Sequence, residues 1–280
     1  MNYYHNVEGE QISPMVLPTI SVTGDALFGI RQADAPGTHA RADLRIAYQP
    51  TEAAHRAIAP GGHSGPGIYG CFWDRQLFYV GTFAGNRQPD CGNVARERWT
   101  KHVAGMTFRG HTVTIGDPSL DRIANEPPTA LGTLLLAADR ARIANPSSAL
   151  QTQYAKYRFA DRHWDDFAAL DTAMLERFAF IYLRPSLHGR FAGMDKAALD
   201  PHLRAMERGI VSLLAPPCNG LSSNHEGRPG PSIADAAQTM RQVMDAHLAA
   251  VQADHPNYQL KPRGSRKLAQ ESHGRDRPIA

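Results

Sequence analysis

Cysteine is scarce in this chain. Its three residues, Cys71, Cys91 and Cys218, are too few and too scattered for a disulfide framework or a four-thiolate zinc site. A reducing, cytoplasmic compartment is the expectation. Long apolar runs are also missing: nothing approaches the ~18 consecutive apolar residues of a membrane-spanning helix, so no membrane partner is expected. The first residues, Met1-Asn2-Tyr3-Tyr4-His5-Asn6, lack the basic-then-apolar pattern of a secretory signal. Nor does one sign of charge dominate. The 30 Lys and Arg against 27 Asp and Glu leave +3, which permits a nucleic-acid partner without demanding one. Internal repeats are absent.

What remains is an ordinary globular mixture, with room for one sizeable domain plus additions. Residues 1–60 carry strand-like runs (Met15-Val16-Leu17, Ile20-Ser21-Val22, Leu44 to Tyr48) broken by Gly and Pro, and read as an N-terminal extension. The run Pro60-Gly61-Gly62-His63-Ser64-Gly65-Pro66-Gly67 marks a boundary that no helix or strand tolerates. A hairpin follows: Ile68 to Trp73 and Leu77 to Gly81 are rich in aromatic and β-branched residues, separated by Asp74-Arg75-Gln76. Asn93 suits the N-cap of a helix reaching about Gly105. Further expectations are a short strand over 108–115, helices over 129–143 and 164–175, and over 178–183 a strand, with a continuation of the preceding helix left open by periodicity. The next helix starts at Asp200-Pro201 and stops at Pro216-Pro217. A last amphipathic helix begins with Ser232 as its cap. The stretch from Lys261 to Ala280 has six Lys or Arg against Glu271 and Asp276 and almost no apolar content, so it is expected to stay unfolded, as a solvated terminus or a phosphate-touching arm.

Three groups carry chemistry. Gly67-Ile68-Tyr69 and Tyr79-Val80-Gly81 sit on the two strands of the hairpin. Arg98 and His102 are four apart and share a helix face; a guanidinium never loses its charge and grips phosphate with two parallel hydrogen bonds. Glu207 falls within the apolar stripe Leu203, Met206, Ile210 and Leu214, where an ionised carboxylate needs a partner. Pro216 follows it by nine residues and Asn219 by twelve. Glu176 competes for the acid's role, with Pro185 at the same distance but His188 where the Asn should stand.

This ordered set resembles the GIY-YIG nuclease superfamily, with Val80 replacing the second Ile, over about 67–105 and 178–219. The resemblance implies an α+β fold: a small three-stranded antiparallel sheet flanked by helices. Residues 61–220 would form this core, interrupted by an insertion at about 106–170, with 221–280 as a C-terminal helix and basic tail. Restriction enzymes of the family carry such elaborations around and within the core. His111 offers a weak match to an additional family histidine.

The resemblance further implies a metal-dependent endonuclease hydrolysing phosphodiester bonds in DNA, double-stranded by preference. Tyr69 would take the proton of the attacking water, with Tyr79 supporting, although relatives differ over which tyrosine does so. Arg98 would clamp the phosphate, and His102 would orient the tyrosine and water or help to deprotonate them. Glu207 would hold Mg²⁺, with Mn²⁺ able to substitute, and Asn219 would brace the site. Both phenols can face one site only if the turn between their strands is odd in length. One such site cuts one strand, so duplex cleavage implies a homodimer or sequential nicking by a monomer. A bacterial restriction or phage-defence enzyme is the first reading. A homing or mobile-element endonuclease, a non-catalytic DNA-binding module on a nuclease fold, and an unrelated α+β enzyme with an accidental tyrosine motif stand as alternatives.

Overall fold

The centre of the molecule is the strand of residues 178–183, whose side chains are all buried. In chain order the strands are β1 (Tyr4–His5), β2 (Gln11–Ile12), β3 (Ile20–Thr23), β4 (Phe28–Gln32), β5 (Leu44–Tyr48), β6 (Gly67–Trp73), β7 (Gln76–Phe83), β8 (Val113–Ile115), β9 (Leu150–Thr152) and β10 (Phe178–Leu183). The helices are α1 (Thr100–Thr107), α2 (Asp117–Ala124), α3 (Ala130–Leu136), α4 (Tyr154–Arg162), α5 (Trp164–Ala168), α6 (Ala173–Glu176), α7 (Lys196–Leu214) and α8 (Ile233–Ala253). This computed structural model describes residues 4–5, 11–12, 16–32, 44–52, 62–85, 92–108, 113–115, 117–137, 150–152, 154–169, 171–187, 191, 193–219 and 230–253. Cys91, His111, His188 and the basic stretch 261–280 lie outside them.

The fold is α+β, with an antiparallel sheet between layers of helices, but the sheet has four strands rather than three, in the order β3-β10-β6-β7. The added strand comes from the N-terminal segment: Ile20 to Thr23 pair with Tyr182 to Ala179. The physical reason lies in β10 itself. Its sequence FAFIYL is apolar at every position because both faces are covered, so a bare second edge would leave buried N–H and C=O groups unpaired. β3 satisfies them, so Ile20 to Thr23 of the N-terminal segment belong to the central sheet.

Alternation along β10 divides the interior in two. Phe178, Phe180 and Tyr182 point into an aromatic cluster with Tyr69, Trp99 and Phe28. Ala179, Ile181 and Leu183 point the other way, onto α7 and α8. These helices bury Leu199, Leu203, Met206 and Ile210, and Ala236, Met240, Met244 and Leu248, at the three- and four-residue spacing of one helical face.

Several boundaries differ from expectation. α7 begins one turn early, at Lys196, because Asp195 caps it: the carboxylate accepts from the Ala198 N–H at 2.8 Å. Pro201 therefore sits inside the helix, near its start, where the missing N–H forfeits a single hydrogen bond. The single helix expected over 164–175 is two short ones, α5 and α6. Thr129, not a helical residue, caps α3 by accepting from the Gly132 N–H. α8 begins where expected, with Ser232 Oγ bonded to Asp235.

Candidate active site

The hairpin β6–β7 turns through Asp74 and Arg75 alone, both with positive φ, 47° and 63°. Such a two-residue turn ordinarily calls for Gly or Asn. Here a neighbour holds it: Arg177 grips the Asp74 carboxylate with two hydrogen bonds, at 2.7 and 2.6 Å, while its carbonyl accepts from the Asp74 N–H. The guanidinium also lies 4.2 Å above the Trp73 ring.

A two-residue turn is even, not odd, and by itself would send Tyr69 and Tyr79 to opposite faces. The register corrects this. Phe72 pairs with Leu77 but Cys71 pairs with Tyr79, so Phe78 is an extra, bulged residue. Beyond the bulge Tyr69 faces Gly81, and both phenols lie on the aromatic face, ring centroids 6.2 Å apart. Gly81 is required there: a Cβ would stand 2.5 Å from the Tyr69 hydroxyl. The Tyr69 ring fills the space that a side chain at 81 would occupy.

Arg98 and His102 straddle the junction of a π-helical turn, Ala95–Trp99, with α1. The wider turn leaves an extra residue in the helix, a distortion often met at functional sites. Asn93 caps it as expected, its side-chain oxygen accepting from the Arg96 N–H. Trp99 anchors the turn by stacking on Phe180 at 4.8 Å. His102, one turn on, is buried; its Nε2 lies 2.9 Å from the Tyr69 hydroxyl. Its ring also packs 4.2 Å from the Tyr79 ring, and its Nδ1 has no hydrogen-bond partner among the described residues. Arg98 remains exposed, close enough that its charge favours ionisation of both phenols.

Asn219 and Glu207 come from the far side of the sheet, beside the edge strand β7. The Asn219 amide accepts from the Val80 N–H at 2.7 Å and donates to the Val80 carbonyl at 2.6 Å. It behaves as a one-residue strand, tying the end of α7 to the strand that carries Tyr79. Glu207 is half-buried, and no hydrogen bond or ion pair holds its carboxylate among the described residues. Arg204, the obvious surface partner, is engaged by Asp200 instead, at 2.6 Å. Burial raises the Glu207 pKa against the opposing pull of Arg204 and Arg208. Its negative charge raises the pKa of both phenols, so it lies in their electrostatic reach. Glu176, the competing acid, is exposed at the other end of the hairpin. There it lines a groove with Asp74, Arg75 and Arg177, and it exerts no such effect on the tyrosines.

Burial is also the largest influence on the phenols themselves, pushing Tyr69 and Tyr79 well above the ordinary tyrosine value. It pushes His102 well below the ordinary histidine value, helped by the charges of Lys156, Arg98 and Lys101. The cluster is thus a neutral imidazole bonded to a neutral phenol, with a carboxylate to one side and cations to the other. Sequence reasoning missed Lys156. Its ammonium, on α4, lies 4.8 Å from the Tyr79 ring centroid.

The arrangement fits a divalent cation at Glu207: a half-buried carboxylate without a counter-ion is incompletely compensated. Among the described residues no three His, Cys, Asp or Glu side chains are grouped to hold a metal. A cation here would therefore have one protein carboxylate and fill its remaining positions with water and substrate oxygens, the habit of Mg²⁺. No protein-family model, no curated protein and no solved structure matches this chain. Among the described residues no helix is long and apolar enough to cross a membrane.

Proposed function

We propose that this chain is a metal-dependent DNA endonuclease of the GIY-YIG type, acting in restriction or defence against phage. The strands β10, β6 and β7 with α1 and α7 would be its nuclease core, and β3 and the segment 106–170 its elaborations. The observation that carries the reading is convergence. Residues as far apart as Tyr69, His102 and Asn219, singled out by the resemblance to the family's motifs, lie around one hairpin, with the Tyr69 hydroxyl 2.9 Å from His102 Nε2 and the Asn219 amide bonded to Val80.

Phosphodiester hydrolysis needs a proton acceptor for water, positive charge for the phosphate and stabilisation of the leaving oxygen. Tyr69 takes the water proton as its own proton passes to His102 Nε2. Burial keeps the imidazole neutral before substrate binds, and the negative charge of the bound phosphate would offset the basicity that burial and the neighbouring cations remove. The water oxygen bonds to phosphorus, the P–O3′ bond breaks, and the departing 3′-oxygen is protonated from solvent. Arg98 binds the non-bridging oxygens as negative charge grows on them. Tyr79 packs His102 in place, and Asn219 fixes the strand beneath Tyr79. Bound Mg²⁺ would take Glu207 as its protein ligand and supply positive charge to the phosphate and the leaving oxygen.

Digestion of a panel of plasmid, linear, branched and modified DNA with Mg²⁺ or Mn²⁺, followed by sequencing of the ends, tests the reading. Cleavage by the wild type that disappears in Tyr69→Phe and Glu207→Ala is the expected result. DNA binding without cutting would favour a non-catalytic module, and a Glu207→Ala variant that retains cleavage would remove the proposed site.

A further inference from the structure

We infer that Lys156, which α4 of the inserted segment brings to the tyrosine cluster, is a phosphate-binding residue that contacts a non-bridging oxygen of the scissile DNA phosphate together with Arg98. The inference rests on the nuclease reading above and goes beyond it: the insertion would supply part of the reacting centre and not only surface for reading bases.

Three observations lead there. Lys156 Nζ stands 4.8 Å from the centroid of the Tyr79 ring, whose centroid is itself 4.2 Å from that of His102, so the ammonium reaches the middle of the site. Second, α4 is fixed rather than splayed. It buries Tyr157, Phe159 and Ala160; Tyr154 and Arg158 both bind Glu126, and Phe78, the bulged residue of β7, packs 5.2 Å from Phe159. Third, among the described residues no acid neutralises Lys156. Its charged neighbours are of its own sign (Arg98 and Lys101 act with it on His102), and the nearby Cys71 and Cys218 are thiols that burial keeps protonated.

A half-buried ammonium without a counter-ion is held below its ordinary pKa by desolvation, as it is here. The ring face of Tyr79 compensates only in part. An arriving phosphate would supply what the fold withholds, restoring the full charge as the anion binds. A phosphodiester gains negative charge on its non-bridging oxygens during attack, so a preset cation beside Arg98 would stabilise the transition state more than the ground state. The competing role for Lys156 is packing, its methylene stem lying on Tyr79. Lys156→Met keeps that stem and removes the charge.

The test uses the full chain and a DNA oligonucleotide that the wild type cuts, together with the same oligonucleotide bearing an uncharged methylphosphonate at the scissile position. Lys156→Met is expected to slow single-turnover cleavage by about 100-fold. Lys156→Arg should stay within about tenfold of wild type. Without divalent ions, the methylphosphonate should weaken binding to the wild type more than to Lys156→Met, in which only the Arg98 contact is left to lose. Equal weakening in both proteins overturns the inference, as does a Lys156→Met variant that cuts within about threefold of wild type or loses activity only in proportion to unfolding. In those cases wild-type cleavage leaves the nuclease reading standing. A wild type that cuts no DNA removes both.

Discussion

The two faces of the central sheet are built from alternate residues of the same strands, yet they have little else in common. One face, Ile68, Phe72, Val80, Ala179 and Ile181 against α7 and α8, is an apolar layer made mainly of aliphatic and methionine side chains. The other, Tyr69, Tyr79, Trp99 and His102, is aromatic and holds polar atoms in burial, including an imidazole nitrogen without a partner. A layer of the first kind can be tuned for packing alone. The second holds titratable groups in burial, a departure from simple packing of the kind that functional sites tend to show. Neighbouring residues should therefore respond to mutation in opposite ways.

The sharpest contrast is Tyr69→Phe against Ile210→Ala. Removing the Tyr69 hydroxyl should reduce single-turnover cleavage by about 1,000-fold, as expected for loss of a general base, with little change in melting temperature. Ile210→Ala should cost about 2–5 kcal/mol of unfolding free energy in a denaturant titration and leave the cleavage rate of folded protein within about threefold of wild type. If Ile210→Ala abolished chemistry in folded protein, the division between the faces would be lost. Asn219→Ala lies between them. It strips partners from the Val80 N–H and C=O and should cost about 1–3 kcal/mol, with cleavage slowed as Tyr79 loosens.

The smallest expected effect has the most specific sign. Burial raises the Glu207 pKa in the folded state above its unfolded value. A carboxyl shifted upward contributes stability below its unfolded pKa and loses that contribution as pH rises through the folded pKa. Without divalent ions, Glu207→Gln should then melt about 1–2 °C above wild type at pH 7–8. The gain should vanish near pH 4, where both side chains are uncharged. Adding Mg²⁺ should stabilise the wild type and not the variant. A melting temperature lowered by Glu207→Gln at neutral pH would show that the carboxylate is already compensated by the fold.

Much of this contrast was legible in the residues. Phe178 to Leu183 reads as a strand, although periodicity alone leaves a continuation of the preceding helix open, and Glu207 stands out because its apolar neighbours leave it nowhere to be solvated. Asn219 was found only through its distance from Glu207, since nothing local reveals that its amide would bond both backbone groups of Val80. The bulge at Phe78 was illegible: Leu77-Phe78 in an apolar strand gives no sign that one residue is supernumerary, and only pairing with Cys71 and Phe72 reveals it. The fourth strand escaped for a related reason, as β3 is short and its partner is more than 150 residues away. Lys156 was hidden by ordinary expectation. No helix was expected over 154–162, so nothing marked Lys156 as more than a solvated head group, and the ring beneath it comes from another part of the chain.

The outer edge of β7 has a further consequence. Asn219 occupies Val80, Cys218 donates to the Phe78 carbonyl, Leu77 donates to Pro231, and Gln76 bridges to Ser232. From Gln76 to Val80 this strand has little backbone to offer a second chain, and a neighbour that tried to zip onto it would first have to dislodge the residues bracing Tyr79. Among the described residues no strand lies outside β3. Growth of the sheet into a larger assembly, productive or amyloid-like, would therefore start on the β3 side, as far across the sheet from Tyr79 as the strand order allows.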